Sequence, residues 1–122
     1  MTTTADRLDL SDEQVDALFH ALADRTRRDI LRRSLAGEHS VSSLASHYDM
    51  SFAAVQKHVA VLERAGLVTK RRNGREALAS GEVTAVRSVS ALLDELEQIW
   101  RGRVARIDDL LAAEKANPQD QE

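Results

Sequence analysis

This sequence predicts a mainly α chain with one small β-hairpin, and three observations predict it. Apolar residues recur at three- and four-residue steps over most of residues 12–65, the spacing of amphipathic helices. Around Asn73-Gly74, a strong two-residue turn signal, that period gives way to two short runs that read as strands. From Glu82 the helical period returns and runs to about Lys115, interrupted by Gly102.

The first helix opens at Ser11, whose side chain can cap. Gln14, three residues on, can return the capping-box bond, and Leu10 can staple against Val15. Val15, Leu18, Phe19 and Leu22 then share one stripe. Asp24 is the cap of a second helix, RTRRDILRRSLA, with Ile30, Leu31 and Leu35 inward and Gly37 as its stop. Arg25, Arg27 and Arg28 oppose that helix's dipole from its first turn. Their placement asks for a carboxylate or phosphate partner, with a salt bridge to Asp24, Asp29 or a neighbouring helix expected ahead of a phosphate.

Residues 41–67 organise the rest of the chain. A short amphipathic helix with Leu44, Ala45 and Tyr48, capped by Ser40 or Ser42, leads through a turn at Asp49-Met50 into a second helix. Ser51 opens that second helix, Val55, Val59 and Leu62 form its inner face, and Gly66 closes it. So short a turn forces the two helices to cross steeply and holds the second away from the body of the domain. Its outer side is Phe52, Ala53, Gln56, Lys57, Ala60 and Arg64, small near the start and otherwise mostly polar or basic, which suits a DNA major groove. Residues 67–72 then read as a strand and residues 75–79 as its return, although alanines stand where branched residues are expected. A basic hairpin behind a helix-turn-helix is a wing, so residues 11–81 are expected to form a winged helix-turn-helix.

In the last segment Val86, Val89, Leu93, Leu96, Trp100, Ile107, Leu110 and Leu111 recur at helical steps, widened by Leu92, Ile99 and Val104. An unbroken helix of this extent would be roughly 50 Å long, more than a domain of this size can cover. Residues 82–116 are therefore expected to be a dimerisation helix, or two helices if Gly102 ends the first and residues 103–115 form the second. Residues 12–23 would assist. The homodimer interface would include Val15, Leu18, Phe19, Val89, Leu93, Leu96 and Trp100. Residues 1–10 and 117–122 read as a flexible start and a disordered tail.

Composition bounds the function. The 122 residues suffice for one domain, and the absence of cysteine removes disulfides, thiolate metal sites and a cysteine nucleophile. There is no run of eighteen apolar residues and MTTTADRLDL lacks a signal-peptide core, so a cytoplasmic protein with no membrane partner is expected. The net charge of -3 hides a division: residues 1–50 carry -3, residues 51–80 carry +4 and residues 81–122 carry -4. A basic block within an acidic chain marks a local contact with a polyanion. No Gly-rich phosphate loop, GxSxG elbow or HExxH occurs, and Asp108-Asp109 face apart on a helix, so no enzyme is expected. His20, His39, His47 and His58 include no pair at i, i+4 spacing, so neither a metal nor another cofactor is expected.

Position assigns the binding roles. Gln56 suits a base edge, because its amide can pair bidentately with adenine. Phe52 either touches a thymine methyl or folds back to staple the turn, and Ala53 with Ala54 lets the backbone approach the groove. Lys57 and Ser51 are expected at phosphates, with Ser42 and Ser43 contributing from the preceding helix. His58 packs at the rim of the helix or donates to a phosphate. Arg71, Arg72 and Arg75 would reach phosphates or the minor groove. A winged helix that contacts other proteins is the alternative.

Leu22-Ala23-Asp24-Arg25-Thr26-Arg27-Arg28-Asp29-Ile30-Leu31, then Leu44-Ala45, Val55-Gln56-Lys57-His58-Val59, Leu62-Glu63-Arg64-Ala65-Gly66-Leu67-Val68 and the Asn73-Gly74 hairpin resemble the ArsR-type family of winged helix-turn-helix repressors. The resemblance covers about residues 15–80. It implies a dimeric bacterial or archaeal repressor that binds an inverted repeat of double-stranded DNA, often near its own promoter, and leaves when an effector binds. Three departures stand out. Arg25 occupies a position that is usually proline in this branch, the family's thiolate site on the helix of residues 42–48 has no cysteine, and residues 82–122 have no histidine for its other common metal site. The resemblance thus supports DNA binding and not metal sensing. An organic effector in a dimer cavity near Trp100, a protein effector and no effector at all remain open.

Overall fold

The computed structural model describes residues 10–116; the expectations for residues 1–9 and 117–122 lie outside the described residues. The elements are α1 (Asp12–Leu22), α2 (Arg25–Ala36), β1 (His39–Ser40), α3 (Val41–Ala45), α4 (Phe52–Arg64), β2 (Val68–Asn73), β3 (Glu76–Gly81) and α5 (Val83–Ala116). The described residues form two units, one up to Val89 and one from Ser90. None of these helices is long and apolar enough to cross a membrane.

The core of the first unit is built where the helical stripes converge. Leu18 and Ala21 of α1, Ile30 and Leu31 of α2, Leu44 of α3 and Val55, Val59 and Leu62 of α4 are all buried. Burial of such side chains contributes about 1.5–3 kcal/mol each, which outweighs the modest propensity of a short helix such as α3. The capping box at Ser11 forms as expected, with the Gln14 N–H donating to Ser11 Oγ at 3.1 Å and the Ser11 N–H donating to Gln14 Oε1 at 2.8 Å. Ser40, rather than Ser42, caps α3 by accepting from the Ser43 N–H at 3.0 Å.

The arginines at the start of α2 find a different partner from the anion expected. Arg27 donates from Nε to the Ala21 carbonyl and from Nη2 to the His20 carbonyl, each at 2.8 Å, and Arg28 Nη1 donates to the Leu22 carbonyl at 2.8 Å. These carbonyls belong to the last turn of α1, where backbone acceptors lack the regular i+4 donor, His20 having only the Ala23 N–H at 3.2 Å, and carry the negative end of the helix dipole. Two guanidinium groups that are misplaced for their own helix are well placed for its neighbour.

Leu35 is not inward: it is 43% exposed, and Ser34 is buried in its place. Ser34 follows Ile30 by four residues and so shares its face, which turns Leu35 to the rim. There it lies against Gly81, where an added Cβ would come within 2.6 Å of Leu35 Cδ2. The Ser34 hydroxyl is buried without a hydrogen-bond partner among the described residues.

The expected hairpin is part of a three-stranded antiparallel sheet in the order β1-β3-β2. The two-residue β1 is too short to leave a periodic signal; it pairs His39 with Ala79 and Ser40 with Leu78. The turn is shifted by one residue from the expected Asn73-Gly74. Asn73 pairs with Glu76, so Gly74 and Arg75 form the loop. Gly74 has φ 64° and Arg75, like every described non-glycine residue, has no positive φ, the signature of a turn with glycine at its first central position. The return strand, Glu76–Gly81, is the central strand, and Ala79 is fully buried. Small residues suit it because α2 packs closely enough that Gly81 has no room for a side chain.

Helix α5 is one helix of 34 residues, and Gly102 lies inside it rather than ending it, so no separate helix of residues 103–115 forms. A glycine costs a helix interior about 1 kcal/mol relative to alanine, too little to break a segment whose neighbours all favour helix. None of its residues is buried, and Leu93, Leu96, Ile99, Trp100, Leu110 and Leu111 are exposed.

Candidate nucleic-acid interface

Both ends of α4 are fixed by its own sequence. Ser51 Oγ accepts from the Ala54 N–H at 3.1 Å and caps the start. At the other end the Leu67 N–H reaches the Leu62 carbonyl at 2.9 Å and the Gly66 N–H reaches the Glu63 carbonyl at 3.0 Å, with Gly66 at φ 80°. This paired closure needs a left-handed residue, which glycine adopts without steric cost, and it delivers Leu67 and Val68 into the core at the root of the wing. The segment before α4 is tied to α2 by the Tyr48 hydroxyl, which donates to Asp29 Oδ2 at 2.6 Å. Arg33 Nε donates to the same oxygen at 2.9 Å. The Tyr48 and Arg33 bonds hold the Asp29 carboxyl below the usual carboxylate range, while burial and the neighbouring Asp29 push Tyr48 up to about 12.

Ser51, Phe52, Ala53, Gln56 and Lys57 are exposed together along one side of α4. The side chains of Gln56 and Lys57 make no hydrogen bond or ion pair with any described residue. Ser51 keeps a hydroxyl proton to donate, since its cap uses only an acceptor lone pair. Phe52 is 46% exposed and stands outside the core cluster. Ser42 and Ser43 are also exposed, on α3.

The wing divides into a clamped base and a free tip. Arg71 donates to Glu38 through Nε at 3.0 Å and Nη2 at 2.8 Å, and Ser80 Oγ donates to Glu38 Oε2 at 3.0 Å. The Arg71 fork, with help from Ser80, holds the Glu38 carboxyl below its ordinary range. Lys70 lies 3.3 Å from Glu63 of α4. Arg72 and Arg75, by contrast, are exposed and have no partner among the described residues.

A family model described as a helix-turn-helix domain matches residues 22–71. The HTH-type transcriptional regulator YuzN of Bacillus subtilis is 45% identical over 67 residues, which are 49% of this chain and 73% of that protein. The crystal structure of the ArsR family transcriptional regulator RHA00566 superposes with a TM-score of 0.72 at 35% identity, covering 75% of this chain and 95% of that one. This chain belongs to the ArsR family of winged helix-turn-helix transcriptional regulators. A homodimeric winged helix-turn-helix DNA-binding domain from Mycobacterium bovis also resembles it, with 26% identity, a TM-score of 0.58 and coverage of 73% of this chain and 88% of that one. The ArsR family consists of transcription regulators, not enzymes.

Within this ArsR-family regulator the residues singled out from the sequence fall into two groups. Ser42, Ser43, Ser51, Phe52, Ala53, Gln56, Lys57, Arg72 and Arg75 all reach solvent, whereas the Arg71 guanidinium is taken by Glu38 and His58 is turned toward α2. His58 Nδ1 lies 3.3 Å from Arg27 Nη1 and 4.0 Å from Asp24 Oδ2. The Arg27 N–H bond, ahead of the smaller attraction of His58, keeps the Asp24 carboxyl below its ordinary range despite some desolvation. Of the residues expected at a dimer interface, Leu18 is a core residue at 3% exposure and cannot meet a partner. Its place one turn from Ala21 puts it on the inner line of α1. Val15 and Val89 are half-buried, while Phe19, Leu93, Leu96 and Trp100 are exposed, the last with Arg103 5.8 Å from its ring centroid. Glu38 carries a structural role that no local sequence pattern announces, because Arg71 is 33 residues away, whereas the unfavourable place of Arg27 is visible in the sequence and only its partners, the Ala21 and His20 carbonyls and His58, are not.

Proposed function

We propose that this regulator works as a homodimeric repressor that occupies an inverted-repeat operator, its own promoter among the targets. The observation that carries the proposal is the row Ser51, Phe52, Ala53, Gln56 and Lys57, exposed on α4, beside a wing whose Arg72 and Arg75 are free of partners. Side chains with unspent donors next to a basic block are what a duplex contact requires. In this reading Gln56 reads a base edge, Phe52 and Ala53 sit against the groove, Lys57, Ser51, Ser42 and Ser43 meet phosphates, and Arg72 and Arg75 reach the flanking phosphates or minor groove. Residues 11–81 act as the DNA-binding domain. Two copies join through α5, whose exposed Leu93, Leu96 and Trp100 call for cover, with Val15, Phe19 and Val89 at the edge. The homodimeric relative from Mycobacterium bovis supports this pairing.

Fluorescence anisotropy on the duplex upstream of the gene tests it. Gln56→Ala lowers the preference for operator over random DNA by about 1–3 kcal/mol. Arg72→Ala and Arg75→Ala weaken binding to both, each reducing the salt slope by about one. Equal losses on both duplexes for Gln56→Ala remove the base-reading role. No binding to either duplex at low salt removes the operator reading and favours a winged helix that contacts proteins.

A further inference from the structure

The Arg27 guanidinium spends its donors in three directions. Nε and Nη2 grip the Ala21 and His20 carbonyls at 2.8 Å, which fixes the plane of the group at the end of α1. The remaining nitrogen, Nη1, lies 3.3 Å from Nδ1 of His58, on the recognition helix α4. A guanidinium can only donate, so Nδ1 of the neutral ring must accept. The nearby Asp24 does not take that nitrogen, because its Oδ2 lies at 4.0 Å, beyond hydrogen-bond distance. An imidazole that accepts at Nδ1 carries its proton on Nε2.

Nε2 has no hydrogen-bond partner among the described residues and is not among their buried unsatisfied atoms, so it reaches solvent. The side chain as a whole is 23% exposed. His58 directly follows Gln56 and Lys57 on α4, at the edge of the row assigned above to DNA. We propose that Arg27 is a positioning residue that fixes His58 as its Nε2–H tautomer, so that α4 offers an oriented N–H donor to a DNA phosphate. The inference rests on the DNA reading given above and adds a link from the end of α1 to a contact on the recognition helix. Because the guanidinium plane is held by two backbone carbonyls, the ring has one orientation before DNA arrives, and no rotamer or tautomer choice opposes binding.

Nitrogen-15 NMR of the unmodified, DNA-free protein at about pH 8 is the first test. His58 is expected to show the Nε2–H pattern; an Nδ1–H pattern or an even mixture overturns the inference without touching the DNA reading. Arg27→Lys, checked for folding by circular dichroism, is expected to move the ring toward a mixture, and an unchanged pattern means that Arg27 does not set it. Anisotropy with the upstream duplex is the second test. His58→Gln, whose amide N–H can stand near the Nε2 position, is expected to bind within about threefold of the unmodified protein, and His58→Ala and His58→Asn to lose about tenfold. Equal affinity for all three variants and the unmodified protein rules out the phosphate contact. Failure of the unmodified protein to bind any duplex is a different result, since it occurs with His58 intact and removes the DNA reading itself.

Discussion

Gly81→Ala measures how tightly the wing is seated on the domain. An added Cβ would stand 2.6 Å from Leu35 Cδ2, 2.7 Å from Leu35 Cγ and 2.8 Å from the Leu35 backbone nitrogen. The β3 backbone itself tolerates alanine, because Gly81 is not among the positive-φ glycines. The effect is therefore spatial. A rotamer change in Leu35, which is 43% exposed, can clear the first two contacts, but the third belongs to the α2 backbone and yields only if helix and strand move apart. Overpacking of this kind costs about 1–3 kcal/mol, and the lower entropy of the unfolded alanine chain offsets about 0.4–1 kcal/mol of that. The net loss of about 1–2 kcal/mol corresponds to a fall in Tm of roughly 5–15 °C for a domain of this size. Thermal unfolding followed by circular dichroism checks it, at one fixed protein concentration because association raises the apparent Tm. Adding Leu35→Ala should not restore the unmodified Tm, because the contact with the Leu35 backbone nitrogen stays. A Tm for Gly81→Ala within about 1 °C of the unmodified protein would refute the close approach of α2 to β3.

Ser34→Ala should stabilise the protein by up to about 1 kcal/mol in denaturant titration, since it removes a buried hydroxyl without a partner and improves helix propensity; a destabilised variant would mean that the hydroxyl is bonded. Ser51→Ala should cost about 0.5–2 kcal/mol through loss of the α4 cap, and a larger fall in DNA affinity than in stability would point to a second role at a phosphate. Asp24, Asp29 and Glu38 all have carboxyls held below their ordinary range, so each stabilises the fold fully above its unfolded value and loses that contribution as pH falls through its folded one. Stability should thus decline from about pH 5 downward, and Tyr48→Phe should move the Asp29 titration, followed by carbon-13 NMR, toward the ordinary value. Tyr48 has the opposite sign: its raised value favours the folded state below about pH 10, a contribution lost as pH rises toward about 12. Leu96→Asp should yield a monomer in analytical ultracentrifugation with lowered operator affinity, and concentrating the unmodified protein should blue-shift Trp100 emission; a dimeric Leu96→Asp would place the pairing elsewhere.

Features set by neighbours three or four residues apart were legible in the sequence. The capping box at Ser11, the caps at Asp24 and Ser51, the inner face Val55, Val59 and Leu62 and the stop at Gly66 depend on local spacing, and each forms. What escaped depends on distant chain. Ser34 follows Ile30 by four residues and Leu35 follows Leu31 by four, and both Ile30 and Leu31 are buried, so local spacing offers either as the inward residue of α2 and the way α2 meets β3 decides between them. The alanines of β3 read as a weak strand on propensity and turn out to be the central one, where a helix covers them. Within the candidate site the residue types and the face were readable, but not which charges were already spent: Arg71 on Glu38 and Arg27 on the end of α1.

The Glu38 clamp has a wider meaning for how firmly such a regulator holds on. It grips the hairpin at Arg71 and Ser80, while residues 72–76 beyond it are exposed and none of them contributes to the buried core. Letters in that loop can be rewritten, or the loop lengthened, with little stability at stake, so with Arg72 and Arg75 as contacts blind to sequence, the strength of the grip is adjustable at the nib while the barrel of the pen stays as it was.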